Sequence, residues 1–155
     1  MVKVGDKAPE FSLPTIGGKT ISLSDYAGKQ SVVLYFYPKD NTPGCTKEAC
    51  YFRDLQAEFA EAGAVILGVS TDSVASHEKF AAKHNLPFPL LADVDKKVTT
   101  QYGVFKEKSM YGKTFLGVER TTLLIDKSGV IRRIWPKVSV EGHADEVLEA
   151  LRAEG

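Results

Sequence analysis

The chain has 155 residues, with 43% apolar and 26% charged side chains, and its 20 basic residues balance 20 acidic ones. This is one domain with a substantial core rather than a disordered chain, and the charge balance provides no long-range attraction to nucleic acid or an anionic membrane. No apolar run approaches the roughly 20 residues needed to span a bilayer, and residues 1–11 lack the apolar core of a signal peptide, so a cytoplasmic location is expected.

In chain order, "FSLPTIGGKTISLSDYAG" predicts two short strands around Gly17 and Gly18, a hairpin signal. Residues 31–37, "SVVLYFY", form a continuous β-branched and aromatic run suited to a strand buried on both faces, which Pro38 ends. A helical pattern runs from Thr42 or Pro43 to about Gly63. Residues 64–71 predict a second buried strand. "SVASHEKFAAKHN" reads as a helix with Ser73 at its N-cap. A short strand in "PFPLLAD" and a helical stretch over 96–102 follow. Residues 106–120 read as a long loop of the kind that often carries function. "TTLLID" and "VIRRIW" predict two strands joined at Lys127, Ser128 and Gly129, and "GHADEVLEALRAEG" a final amphipathic helix. The fold class expected is α/β: a mixed central sheet with helices on both faces, in a single domain over 1–155.

Both cysteines fall in "PKDNTPGCTKEAC". Thr42 and Pro43 fit the N-cap and first position of a helix. At about 100° per residue, Ala49, Phe52, Leu55, Phe59 and Ala62 share one stripe. Cys45 lies near that stripe and Cys50 opposite it, among Arg53, Asp54, Ala57 and Glu61. Their Cα atoms are about 8.6 Å apart in an intact helix. A disulfide needs less than about 7 Å, so the helix start must unwind before the two sulfurs can join. Four intervening residues do not make the Cys-x-x-Cys of a thiol reductase. His77, His84 and His143 do not complete a metal site with these thiols. A reducing compartment favours reactive over stapling cysteines.

A free thiol ionises near pH 8.5. A predominantly ionised nucleophile at pH 7 needs about 2.7 kcal/mol of help. A helix N-terminus gives about 0.3 to 2 kcal/mol, whereas a guanidinium at about 4 Å gives about 4 kcal/mol at an effective dielectric of about 20. The site therefore asks for an arginine. The possibilities are Arg53, Arg120, Arg132, Arg133 and Arg152. Arg120 is selected because it directly precedes the buried strand "TTLLID", where a side chain can reach a neighbouring helix start.

These residues resemble the peroxiredoxins. "PKDNTPGC" fits their Pro-x-x-x-Thr-x-x-Cys signature, and "YPKDNTPGCTKEACYFRD" is similar to the peroxiredoxin Q subgroup, also called bacterioferritin comigratory protein. "GDKAPEFSLP", "GVSTDS", "FPLLAD", "KSMYGK" and "GVERTTLLIDKSG" extend the likeness over nearly the whole chain. The resemblance implies a thioredoxin-like fold with an N-terminal hairpin extension, and reduction of hydrogen peroxide and organic hydroperoxides. By the same resemblance Cys45 is the peroxidatic cysteine and Cys50 the resolving one. Thr42 contacts the reacting oxygen and the thiolate, Pro38 shields the thiolate from water, and Arg120 stabilises thiolate and peroxide. It further implies an intrachain 45–50 disulfide recycled by thioredoxin or a similar dithiol, no metal, haem or flavin cofactor, and a monomer or weak homodimer.

Three residues keep two readings. Glu48 either orients the arginine or favours the helix N-terminus as a first-turn carboxylate. Tyr37 either lines the pocket or ends a buried strand as a core aromatic. Thr42 serves the peroxide or caps the helix, and its hydroxyl has one proton to give. A thiol-disulfide oxidoreductase and a non-catalytic redox sensor or holdase are the competing functions. The first lacks Cys-x-x-Cys and has Thr121 where thioredoxin-like reductases place a cis-proline.

Overall fold

The structure is a computed structural model that describes residues 1–154. Its elements run β1 (Ser12–Pro14), β2 (Thr20–Ser22), β3 (Ser31–Phe36), α1 (Pro43–Asp54), α2 (Gln56–Glu61), β4 (Ala64–Ser70), α3 (Val74–His84), β5 (Leu90–Ala92), α4 (Lys97–Gln101), β6 (Phe105–Met110), β7 (Lys113–Val118), β8 (Thr121–Ile125), β9 (Ile131–Trp135) and α5 (His143–Glu154). Five strands form the central sheet in the order β5-β4-β3-β8-β9. β3, β4 and β5 are parallel, while β8 and β9 join antiparallel, so the sheet is mixed as expected.

β3 is central, and its period-2 alternation separates two cores. Val33 and Tyr35, followed by Tyr37 just past the strand, pack with Phe52, Phe59, Phe80, Val147 and Leu151 from the helices. Val32, Leu34 and Phe36 pack on the other face with Phe11, Leu13, Val98, Tyr102 and Val104. Tyr35 lies opposite Gly68 in the parallel ladder. A Cβ on Gly68 would come within 2.9 Å of both the Tyr35 ring and Leu90, so only glycine lets that ring lie flat across β4.

The N-terminal hairpin forms as predicted, with Leu13 paired to Ile21. Ser73 caps α3, its side chain accepting from the Ser76 N–H. The β8–β9 turn closes through Asp126, whose carboxylate accepts from the Ser128 and Val130 N–H groups.

Two expectations need correction. The helical segment after Pro43 breaks at Leu55 (φ −103°, ψ 5°) into α1 and α2. Residues 106–120 are not a loop but mostly the antiparallel hairpin β6–β7. Tyr111 and Gly112, both at positive φ, make its two-residue turn. Met110, Tyr111, Phe115 and Leu116 are exposed on it, so no buried face announces the strands in the sequence.

Among the described residues, no helix is long and apolar enough to cross a membrane.

Candidate active site

α1 holds both cysteines and buries one face in the core beside the sheet. Cys45, Glu48, Ala49 and Phe52 are all buried on it, as the helical projection requires for one face. Cys45 is 1% exposed and Cys50, on the same intact helix, is half-buried; both are free thiols.

Thr42 has extended backbone and Pro43 is the first helical residue, as predicted. The capping bond, however, is not made: the Thr42 hydroxyl donates to the Lys39 carbonyl at 2.9 Å. Its one proton is thereby committed, and the first-turn N–H groups keep no side-chain partner from Thr42. Pro38 is half-buried at the start of the segment between β3 and α1.

The arginine question resolves cleanly. Arg120, immediately before β8, sends Nη2 to Cys45 Sγ at 3.4 Å and Nη1 to Glu48 Oε1 at 2.6 Å. β8 lies antiparallel beside β3, which places its start next to the α1 N-terminus. Three of the other candidates have different occupations. Arg53 binds Asp54 and the His84 carbonyl, Arg132 pairs with Asp126 and Glu154, and Arg133 lies over Trp135.

Glu48 is 2% exposed and lies beyond the first turn of α1, so the first-turn reading is not realised, while its contact with Arg120 is the one the orienting reading requires. Burial pushes its carboxyl up to about 7, against the opposing pull of Arg120. Tyr35 stacks on Phe52 at 4.8 Å, and burial, then Glu48 and Cys45, hold its phenol well above the usual range. Tyr37 is a core aromatic, not a pocket wall: its hydroxyl donates to Asp40 Oδ1 at 2.6 Å.

Asp40 opens a network that sequence reasoning missed. Its second oxygen meets His77 Nδ1 at 2.7 Å and accepts from Ser76 Oγ at 2.8 Å. His77 Nε2 donates to the Leu91 carbonyl, and Asp72 Oδ2 accepts from the Asp40 N–H and the Ser70 hydroxyl. Burial acts to raise the Asp40 carboxyl, but hydrogen bonds from His77, Tyr37 and Ser76 outweigh it and hold it below its ordinary value. Asp40, Asp72 and His77 offer potential ligand atoms within 4.8 Å of one another, though these atoms are already engaged with the network's own donors and acceptors. The network ties α3, the β4 end and the segment before Thr42 into one piece. The signal was His77 on the apolar face of α3, three residues before Phe80.

Residues 4–134 match the model of the AhpC/TSA family. The chain belongs to that family, in its peroxiredoxin Q (Bcp) subgroup. The putative peroxiredoxin Bcp of Coxiella burnetii is 56% identical over 97% of this chain and 99% of its own length. Peroxiredoxin Bcp of Bacillus subtilis is 52% identical, covering 97% and 96%. Among solved structures, a peroxiredoxin Q of Xylella fastidiosa matches with TM-score 0.94 at 42% identity, over 99% of this chain and 98% of that one. The bacterioferritin comigratory protein of Xanthomonas campestris, described for its alkyl peroxide reduction activity, matches with TM-score 0.88 at 49% identity, over 93% and 91%. The fold is thus that of the thioredoxin-like peroxiredoxins, and the chain, as a peroxiredoxin, is a peroxidase.

Proposed function

We propose that this peroxiredoxin reduces hydrogen peroxide and organic hydroperoxides through Cys45 as the attacking thiolate. The observation that carries the reading is the 3.4 Å contact between Arg120 Nη2 and Cys45 Sγ in a buried site at a helix start. A fixed guanidinium favours a thiolate and the negative charge that grows on peroxide oxygen. The alkyl peroxide reduction described for the Xanthomonas relative supports the organic branch of the substrate range.

In this mechanism the Cys45 thiolate attacks one peroxide oxygen, the O–O bond breaks, the hydroperoxide's own proton leaves with the departing water or alcohol, and Cys45 is left as the sulfenate. Arg120 and the Cys45 backbone N–H stabilise the developing charge. With its proton given to Lys39, the Thr42 hydroxyl presents lone pairs and accepts the hydroperoxide O–H. Pro38 shields the thiolate from water. α1 then unwinds at its start, and the Cys50 sulfur attacks the Cys45 sulfur; the sulfenate oxygen leaves as water, taking the Cys50 thiol proton and one further proton, and the 45–50 disulfide forms. Thioredoxin or a similar dithiol reduces that bond by exchange, which makes the cycle a cytoplasmic antioxidant one. No metal, haem or flavin enters these steps.

The test is to titrate free thiols after one equivalent of peroxide and to run a non-reducing gel. Loss of two thiols per chain with the protein remaining monomeric on the gel is expected. A covalent dimer overturns the intrachain route.

A further inference from the structure

Glu48 presents an unsolved charge problem. Its Oε1 is bound by Arg120, but Oε2 is buried and has no hydrogen-bond partner among the described residues. The same guanidinium also contacts Cys45, so one cation faces two acids. The groups around it do not supply a second cation. Tyr35 on β3 stays neutral, since its phenol is held well above the usual range. His143 on α5 is held below its ordinary value, first by burial, which disfavours its cationic form. Lys47, next to Glu48 on α1, is exposed and turned to Glu141. A buried carboxylate oxygen without a donor is costly, and a proton on it removes the charge, leaving the smaller cost of an unpaired hydroxyl.

We propose that Glu48 carries the proton that disulfide formation consumes, holding it while α1 is intact and Cys45 reduced, and losing it as α1 unwinds. The proposal rests on the reading of Cys45 and Cys50 given above. The atom count requires such a proton. A Cys45 thiolate, a Cys50 thiol and a hydroperoxide yield a disulfide, an alcohol and water only if one further proton is supplied. Glu48 lies between the two cysteines on the helix that must open, so resolution necessarily brings it to water. There an ordinary carboxylic acid ionises, and the charge lost at Cys45 reappears on Glu48. Protons and charge then balance with no uptake from solvent. Linkage gives the sign: the group's value is about 7 in the folded site and near 4.5 when exposed. Opening therefore becomes about tenfold more favourable per pH unit across that window, and levels off above it.

The test follows the carboxyl proton directly. Infrared difference spectra between reduced and disulfide forms are recorded at about pH 6, alongside indicator-dye counting of protons during oxidation by one equivalent of peroxide. The wild-type enzyme should lose a protonated-carboxyl band on oxidation and take up no net proton. Glu48→Gln, which keeps an oxygen for Arg120, should lack the band and take up one proton per chain. A reduced wild-type enzyme without the band, or a band retained in Glu48→Gln, overturns the proposal. Should the variant fail to fold, the wild-type spectrum still decides: the band must vanish from the reduced form as pH is raised to about 8. A missing thiolate absorbance at Cys45 is a separate result that overturns the underlying peroxidase mechanism instead.

Discussion

Gly44 and Arg120 approach each other closely: a Cβ on Gly44 would lie 3.1 Å from Arg120 Nη2, so the guanidinium would have to give way slightly to admit it. That nitrogen is the one aimed at Cys45. Gly44→Ala should push the guanidinium by a few tenths of an ångström and slow peroxide reduction by about tenfold, because small misplacements at the reacting atom are expensive. Stopped-flow rates with a parallel thermal melt check this. An unchanged rate would mean that the guanidinium accommodates the methyl group without losing its aim.

Arg120→Lys keeps the charge but not the fork. Lysine cannot bind Glu48 and Cys45 along two fixed directions at once. Peroxide reduction should fall by about 10²- to 10³-fold, the usual cost of removing one donor to a developing anion. Thiolate absorbance should appear only in more alkaline solution than in the wild type.

Cys50→Ser should leave the first turnover intact, since Cys50 is half-buried and not in contact with Arg120. Recycling by a dithiol should slow sharply, leaving sulfenic acid that a dimedone-type reagent traps. Full steady-state turnover in this variant would mean that another thiol resolves the sulfenate.

The Asp40–His77 pair should govern acid stability. Both side chains are almost fully buried, so breaking the pair with His77→Leu should cost about 3 to 5 kcal/mol in urea unfolding at pH 7. The Asp40 carboxyl is held below its ordinary value, so its contribution is complete at neutral pH and disappears as pH falls through that lowered value. Unfolding free energy measured from pH 7 down to pH 3 should decline more gently in Asp40→Asn than in the wild type.

The stripe of Ala49, Phe52 and Phe59 and the burial of Cys45 were legible because helical periodicity alone dictates them. Arg120 was legible because electrostatics demanded a guanidinium and strand position narrowed the choice. The β6–β7 hairpin was not, because its alternate faces carry Lys106, Glu107, Lys108 and Ser109 and bury little. The Asp40 network was hidden for a different reason. Its members come from the segment before α1, the end of β4 and the start of α3, and only the parallel pairing of β3 with β4 brings these together. The capping role of Thr42 failed on orientation: turned so that its hydroxyl donates to the Lys39 carbonyl, the side chain accepts no helix N–H.

In the proposed cycle, the interruption at Leu55 limits how far the unwinding of α1 travels. α1 stops at Asp54 and α2 begins afresh at Gln56, with Phe59 anchored in the core. Fraying that starts at Pro43 therefore meets a joint before it reaches the scaffold. In the proposed cycle the reactive end is dismantled and rebuilt at each turnover, while the sheet beneath acts as a template for rewinding and never has to refold.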